Sequence, residues 1–242
     1  AQDNVKIFEN TVFIVLINLS SEFYKREIKN QKKVFFNGSN LAEDILQLYI
    51  EKGEDFLKEI KTPFSLMIFD KKEQEVILAR DQTGLRSIFF HKDSNNLFIS
   101  SRLNLLSEHP DIPKNINNER VADFLEMKIS NKFYTFYQNI FKVPAASFVK
   151  IKKNKIFSFV KYTSFRKIKL SDDSLSETSN KLKKYLFSAI QPSKSEIEKK
   201  VGFLFSGGLD SSSIISLYKK QNPGNQEIFA FTSDYEELKK DL

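Results

Sequence analysis

Cysteine is absent from this sequence of 242 residues, and glycine and proline are scarce, with seven and six residues. Without cysteine the sequence holds no disulfide, no zinc–thiolate site and no thiol nucleophile. The low glycine and proline counts exclude a collagen-like or linker-dominated chain. The longest apolar run, Val12 to Ile17, has the length of a strand, whereas a membrane-spanning helix needs roughly 18 apolar residues. No basic segment followed by an apolar one marks a secretory signal.

The residues that are present are typical of a folded protein. Hydrophobic residues make up 40% of the sequence and aromatic residues 13%, whereas disordered chains are poor in aromatics. A chain of this length can bury one large core or two small ones. We therefore expect a soluble, cytoplasmic, globular protein without a membrane segment.

The net charge of +7 comes from one part of the chain, because no acidic residue lies between Glu126 and Asp172. The eleven basic residues of this segment, 128–169, are Lys128, Lys132, Lys142, Lys150, Lys152, Lys153, Lys155, Lys161, Arg166, Lys167 and Lys169. Such a segment with interleaved aromatics can bind nucleic acid. Lysines on the open side of an edge strand also prevent aggregation without any ligand. We favour this second interpretation, a solvated hairpin of strands at 149–152 and 156–159, and expect no nucleic-acid partner.

In the first two thirds of the chain, short apolar runs alternate with polar turns. The predicted elements are a strand at 11–17, a helix at 41–49, strands at 65–69, 75–79, 88–90 and 97–99, and a helix at 118–126. Asn40 is expected to cap the first helix, and Gly53 to follow its end. This order predicts a mostly antiparallel β-meander that is preceded by a helix.

The pattern changes near residue 168. Asp172 and Asp173 mark the start of a helix that extends to Ile190. A strand at 201–205 that is covered on both faces, an amphipathic helix at 211–220 and a strand at 227–232 follow. Strand, helix and strand in this order predict a βαβ unit with a parallel sheet. We therefore predict two domains, 1–168 and 169–242.

The loop after the strand at 201–205 carries the clearest chemistry. It reads Phe205-Ser206-Gly207-Gly208-Leu209-Asp210-Ser211-Ser212. Glycines let backbone N–H groups approach an anion, serines add hydroxyl donors, and the helix amino terminus favours negative charge, so we predict a phosphate site. Asp210 is the one carboxylate of the loop and needs a divalent cation between itself and a phosphate, so we predict that it binds Mg²⁺. The loop lacks the Gly-Lys-Ser/Thr of a Walker A sequence.

These residues resemble a known family. The loop 206–212 is similar to the pyrophosphate loop of the ATP-pyrophosphatase superfamily, in the form used by the asparagine synthetase B family. Residues 78–90, which begin Leu-Ala-Arg-Asp, are similar to the glutaminase domain of that family, and 98–101 resembles its Phe-Ala-Ser-Glu with the acid changed. Residues 143–147 resemble its Leu-Pro-Pro-Gly-His. The resemblance runs in order from about residue 11 to the end.

The resemblance implies a fold and its ligands. The first domain is expected to be an α+β, Ntn-hydrolase-like antiparallel sandwich without glutaminase activity. The second is expected to be the start of an α/β parallel-sheet domain of the PP-loop, adenine nucleotide hydrolase-like type, which binds ATP with Mg²⁺ on Asp210. The residues implied in ATP or pyrophosphate binding are Leu204, Ser206, Gly207, Gly208, Leu209, Asp210, Ser211, Ser212 and Ser233. No catalytic side chain is assigned.

The loss of glutaminase activity is expected because the sequence departs from the family pattern in three places. The family uses an amino-terminal cysteine as nucleophile and base, and this sequence holds none. Its Asn-Gly-Glu oxyanion segment reads Asn18-Leu19-Ser20, and its Ser-Asp-Thr-Glu segment reads Asn40-Leu41-Ala42-Glu43. Arg80 and Asp81 are then expected to form a structural turn rather than a site.

The resemblance implies ATP-dependent amide formation. A substrate carboxylate, of an amino acid or a peptide, forms an acyl-adenylate and pyrophosphate, and an amine then displaces AMP. An amine within the substrate would fit a relative such as a lasso-peptide macrolactam synthetase or a β-lactam synthetase. The alternatives are ammonia-dependent asparagine synthesis, a non-catalytic ATP-binding or interaction module, and ATP-dependent nucleic-acid modification. We expect a second chain or a carboxy-terminal remainder to complete the synthetase domain.

Overall fold

The computed structural model of the protein describes residues 5–19, 41–60, 62–127, 133–152, 155–164, 171–190, 200–222 and 227–233. The chain divides into two units, Ala1–Arg166 (unit 1) and Lys167–Leu242 (unit 2). The predicted cap residue Asn40, the hairpin turn at 153–154 and the acidic residues at 234–237 lie outside the described residues. Among the described residues, no helix combines the length and the apolar character that a membrane span requires.

Unit 1 contains nine described strands in two antiparallel sheets. They are β1 Val5–Glu9, β2 Phe13–Leu19, β3 Phe64–Asp70, β4 Glu75–Arg80, β5 Phe89–Lys92, β6 Leu97–Ser100, β7 Ile140–Lys142, β8 Ser147–Lys152 and β9 Lys155–Lys161. The six-stranded sheet has the order β1-β2-β3-β4-β8-β9, and the three-stranded sheet has the order β6-β5-β7. The helices are α1 Leu41–Lys52, a 3₁₀ helix Gly53–Lys58, α2 Leu103–Ser107 and α3 Asn118–Met127.

The two faces of the six-stranded sheet enter two different cores. On one face, Leu66 and Ile68 of β3 pack with α1 and the 3₁₀ helix in a cluster that includes fully buried Phe56. On the other face, Leu78 and Val149 pack with residues of the three-stranded sheet. Each of these side chains contributes roughly 1.5–3 kcal/mol when it is fully buried. The described part of unit 1 is therefore a helix–sheet–sheet arrangement.

The predicted strands and helices of unit 1 are confirmed with small shifts at their ends, and Gly53 follows α1 with φ of +56°, the left-handed conformation that ends helices. The meander differs from the prediction in one respect, because it is divided between the two sheets. β5 pairs with β6 and β7 and not with β4, whereas β4 pairs with β8. The pairings with β7 and β8 are long-range, and local periodicity does not report them.

The prediction of a solvated basic hairpin also needs a correction. β9 is an edge strand, as predicted, but β8 lies inside the sheet. Lys150 and Lys152 of β8 form ion pairs with acidic side chains from earlier in the chain. These lysines therefore join elements of unit 1 and are not only solvated.

Lys150 lies between two carboxylates. Its ammonium pairs with Glu54 of the 3₁₀ helix and lies 3.8 Å from the carboxylate of Glu75 in β4. Burial works against the ionisation of Glu54, but the hydrogen bond and charge of Lys150, with a backbone hydrogen bond, bring its pKa below its usual value. The ion pair connects the 3₁₀ helix to the sheet.

We expect Glu54→Gln to lower the free energy of unfolding by about 0.5–1 kcal/mol at neutral pH, the upper part of the range for ion pairs at a protein surface, because both side chains are partly buried. Because the pKa of Glu54 is lower in the folded state, its stabilisation is present above the unfolded pKa and is lost as the pH falls through the folded pKa. Urea unfolding between pH 7 and pH 3 measures this, with Glu51→Gln on α1 as the control. A difference that stays constant over that range would contradict the assignment.

Ala146 adopts a backbone conformation that favours glycine, with φ of +57°. The residue is buried, its N–H donates to the Asp81 carbonyl at 2.8 Å, and its carbonyl accepts from the Tyr162 N–H at 3.0 Å. These hydrogen bonds fix the turn that leads into β8. A side chain with a Cβ costs roughly 1–2 kcal/mol in this region of φ and ψ, so this position stores strain.

Ala146→Gly should relieve this strain and leave the protein at least as stable as the parent. At an ordinary φ, the same change costs about 1 kcal/mol, because glycine gains more freedom in the unfolded chain. Ala145→Gly is the matched control and should be destabilised by that amount. Thermal unfolding of both variants tests the assignment, and equal losses of stability would refute it.

Unit 2 is a smaller α/β element. It contains α4 Leu175–Ile190, β10 Val201–Leu204, α5 Leu209–Gln221 and β11 Ile228–Phe231. β10 and β11 are parallel, so the predicted strand–helix–strand order and its parallel pairing are confirmed. The prediction that the first strand is covered on both faces is wrong for the described residues. Phe203 packs on the buried ring of Tyr218 of α5, whereas Leu204 is 86% exposed.

Candidate functional site

The register of β10 and β11 brings the predicted nucleotide-binding residues to one edge. Leu204, the last residue of β10, pairs with Phe231, the last residue of β11. Ser206 and Ser233 each lie two residues after the end of their own strand. The Phe205 N–H donates to the Phe231 carbonyl at 2.7 Å and extends this alignment past the strands. Parallel α/β sheets bind ligands at the carboxyl ends of their strands. The described residues therefore place the loop and Ser233 where such a ligand binds.

Serine hydroxyls organise the loop between β10 and α5. The Oγ atoms of Ser206 and Ser211 lie 3.2 Å apart, and the Ser206 Oγ accepts from the Gly208 N–H at 3.4 Å. Ser211 and Ser212 donate to the Gly208 carbonyl at 3.2 and 2.8 Å. Three of these four contacts are long for hydrogen bonds, so the hydroxyls can rotate toward an anion at modest cost.

Gly207 provides the open backbone of the loop. Its φ is +78°, and a Cβ added there would meet no atom within 4 Å. The glycine is therefore required by conformation rather than by crowding. Gly208 is the N-cap of α5, and no side chain caps it. The first N–H groups of the helix are thus left without a side-chain acceptor and face solvent, which suits an anion.

Asp210 lies in the first turn of α5 and is exposed. No group of three or more His, Cys, Asp or Glu residues that could hold a metal occurs within the described ranges. Mg²⁺ often binds through one or two carboxylates together with phosphate oxygens and water. A single exposed carboxylate beside an open glycine–serine loop is compatible with that use of the ion.

The other face of unit 2 exposes apolar side chains. Leu204, Phe229 and Phe231 lie on the face of β10 and β11 that is opposite Phe203. On the covered side, Gln221 of α5 donates from Nε2 to the Phe187 carbonyl of α4 at 2.8 Å. α4 itself buries no residue completely. Among the described residues of unit 2, only one face of the parallel pair is therefore covered.

Two of the residues that stand at the family's glutaminase positions are described, Asn18 in β2 and Glu43 in α1. Asn18 lies within one row of cross-strand partners: it pairs with Val5 on one side and with Ser65 on the other, and Ser65 pairs with Arg80. Asn18, Ser65 and Arg80 are buried, and the Oδ1 atom of Asn18 has no hydrogen-bond partner within the described part of the chain. Glu43 lies in the first turn of α1.

Arg80 and Asp81 form the structural turn that the sequence predicts. The Arg80 guanidinium donates to the carbonyls of Arg86, Val143 and Gly84, with Nε 2.8 Å from the Arg86 oxygen. The Asp81 carboxylate accepts from the backbone N–H groups of residues 83, 85 and 86 and from the Thr83 hydroxyl at 2.8 Å. The hydrogen-bonding capacity of this carboxylate is thus satisfied by donors of its own turn.

Sequence reasoning missed a cavity beside this turn. The cavity has a volume of about 550 Å³, and basic side chains from three strands line it, at Arg80, Lys142 and Lys161. The only available signal was the acid-free segment, which contains two of these residues. That signal does not show which lysines converge.

Residues 17–163 match the glutamine amidotransferase domain family, and the antiparallel sheets of unit 1 are consistent with such a domain. Residues 194–241 match the asparagine synthase family. The chain therefore belongs to the asparagine synthetase family.

Similar proteins are considerably longer. The chain is 29% identical over 216 residues to a putative glutamine-hydrolysing asparagine synthetase 2 of Methanocaldococcus jannaschii, covering 85% of this chain and 40% of that protein. It is 26% identical over 239 residues to asparagine synthetase 2 of Bacillus subtilis, covering 93% and 31%. A solved glutamine PRPP amidotransferase from B. subtilis shares 14% identity over 99% of this chain and 52% of its own, with a TM-score of 0.35. The chain thus spans less than half of the length of these two synthetases.

Proposed function

We propose that unit 2 begins a PP-loop synthetase domain that activates a carboxylate with ATP. The observation that carries this proposal is the parallel register, which brings the loop 206–212 and Ser233 to the carboxyl ends of β10 and β11. The family supports ATP-dependent amide formation in general terms. Adenylation with release of AMP is the specific form that we propose.

The loop would hold the phosphates of ATP. The backbone at Gly207 and Gly208 can approach the oxygens closely, and the hydroxyls of Ser206, Ser211 and Ser212 can donate to them. The open space at Gly207 supports this arrangement. The adenine would lie along the backbone near Leu204 and Ser233, with Leu209 at the start of α5.

Asp210 would hold Mg²⁺ between its carboxylate and the phosphates. The ion, when bound, neutralises the charge of the departing pyrophosphate. Without a cation, the carboxylate would repel the phosphates at that distance. The chain itself supplies positioning and fixed dipoles, which are the main sources of rate enhancement in phosphoryl and nucleotidyl transfer.

The proposed chemistry has two steps. A carboxylate oxygen of the substrate attacks the α-phosphorus of ATP, the bond to the β-phosphate oxygen breaks, and pyrophosphate leaves. An amine then attacks the acyl carbon, loses a proton and expels AMP, which gives the amide. The substrate class is therefore an amino acid or a peptide with an accessible carboxylate.

We propose an amine, rather than glutamine, as the nitrogen donor for these residues. Class II glutaminases need a cysteine nucleophile, and the 242 residues contain none. An amine within the same substrate would give a macrolactam or a β-lactam, whereas free ammonia and aspartate would give asparagine. The macrolactam reaction is our first choice.

A further chain segment or a partner chain would cover the exposed apolar face of unit 2. Leu204, Phe229 and Phe231 are exposed on that face, and parallel strands are normally buried on both faces. We propose that the remainder of a synthetase domain packs there. Its acyl-acceptor pocket would lie beside the nucleotide.

ATP–pyrophosphate exchange in the intact protein tests the proposed adenylation. Exchange should require a carboxylate substrate, either aspartate or a precursor peptide, and Asp210→Asn should reduce its rate at least 100-fold at limiting Mg²⁺, because the variant loses the only carboxylate of the loop. Asp172→Asn, an exposed acid outside the loop, is the matched control and should exchange normally.

The outcome also separates the alternatives. Exchange with aspartate followed by asparagine formation from ammonia would favour asparagine synthesis over macrolactam formation. If the protein binds ATP but shows no exchange with any carboxylate, the result would contradict the proposed adenylation activity and would support a non-catalytic ATP-binding module.

A further inference from the structure

A basic cavity in unit 1 has no role in the proposed adenylation. It lies where β4 ends and β8 begins, and its volume is about 550 Å³. Three cationic side chains line it, those of Arg80, Lys142 and Lys161. Hydroxyls of Thr83, Ser147 and Thr163 lie on its wall as well. A cavity of this size can hold a small ligand.

The charges that line the cavity are of one sign. None of the lining residues is acidic. No described carboxylate forms an ion pair with Lys142 or Lys161, whereas Lys150 and Lys152 of the same basic segment are paired. The charge of Asp81 acts on Arg80, but Asp81 does not line the cavity, and its carboxylate accepts hydrogen bonds from donors of its own turn. The cavity therefore concentrates positive charge.

The Arg80 side chain is fixed within this cavity. It is 9% exposed, and its three guanidinium nitrogens all donate to backbone carbonyls. The Tyr162 hydroxyl donates to the Arg80 carbonyl at 2.8 Å and fixes the backbone at the same residue. Carbonyl acceptors hold the guanidinium in place but leave its full charge, so the site is pre-organised for an anion.

Lys142 responds to this environment. Burial lowers the pKa of its ammonium, and the nearby charge of Arg80 lowers it further. Lys142 and Arg80 therefore repel each other across the cavity. An anion placed between the two cations would offset this repulsion and stabilise the charged form of Lys142.

We propose that this cavity binds a small oxyanion with at least two negative charges, either a phosphate group or a dicarboxylate. Arg80, Lys142 and Lys161 supply positive charge, with Lys161 on the edge strand. Thr163 adds a hydroxyl, whereas the hydroxyls of Thr83 and Ser147 already donate to Asp81 and to the Ala145 carbonyl. Charge-assisted hydrogen bonds of this kind are the strong ones in proteins. The site lies wholly in unit 1 and does not depend on the nucleotide-binding loop.

Calorimetric titration of the intact protein with three probes tests the site: inorganic phosphate, inorganic pyrophosphate and succinate. EDTA in the buffer keeps magnesium out of the measurement. We expect Lys142→Gln to weaken binding of the best probe at least tenfold. Lys155→Gln, at the opposite end of β9 from Lys161, is the matched control and should leave the affinity unchanged. A preference for the phosphate probes or for succinate shows whether the natural ligand carries a phosphate group or two carboxylates.

A second readout separates binding from folding. Without ligand, Lys142→Gln should unfold at the same or a higher temperature than the parent, because it removes a partly buried charge that the charge of Arg80 repels. With a saturating concentration of the best probe, the order should reverse, because only the parent gains the full stabilisation by the ligand. If Lys142 had only a structural role, the ligand would not reverse the order of the two unfolding temperatures.

Phosphate probes could also bind the loop of unit 2, so Gly207→Val serves as the loop control. Binding that persists in Gly207→Val and is lost in Lys142→Gln supports the cavity. Binding that is lost in Gly207→Val and retained in Lys142→Gln assigns the anion to the loop and overturns the proposal. Failure of all three probes to bind above the Lys142→Gln background overturns it as well. Neither result bears on pyrophosphate exchange, so the two proposals fail separately.

Discussion

The register that joins β2, β3 and β4 is the constraint on which the rest of unit 1 depends. β3 and β4 are covered on both faces, so their alternate residues enter different cores: Leu66 packs toward α1, and Met67 packs against the second core. A slip of one residue would exchange the two sets and place polar groups in both cores. The same register aligns Asn18, Ser65 and Arg80 in one row. Core packing thus positions the buried polar groups at the end of the sheet.

Unit 2 uses a different constraint. Parallel strands need a crossover connection, and here α5 provides it, so the loops after β10 and β11 must leave at the same edge. That geometry brings together residues that are separated by a whole helix in the sequence. The helix covers the face of Phe203, and the opposite face of Leu204 is exposed. The loop and Ser233 are therefore aligned although the described residues cover only one face of the strands, whereas parallel sheets are normally covered on both.

The sequence predicts features that are local and misses those that are not. The loop 206–212 is contiguous, so its glycine, serines and aspartate could be interpreted together, and the strands around it follow from their apolar runs. The division of the meander depends on the pairing of β5 with β7 and of β4 with β8, which periodicity cannot report. The cavity of unit 1 combines side chains at the ends of β4, β7 and β9. No single segment carries that pattern.

The basic segment shows why local charge alone does not predict a partner. Lys150 and Lys152 meet carboxylates from elements earlier in the chain, whereas Lys142 and Lys161 converge with Arg80 where no lining carboxylate occurs. The two proposed anion sites therefore differ in chemistry. The loop of unit 2 offers N–H dipoles with one acid, which suits phosphates that carry a divalent cation. The cavity offers full positive charges without an acid, which suits a metal-free anion. A metal-loaded nucleotide and a bare oxyanion would thus be sorted between the two sites by the presence or absence of one carboxylate.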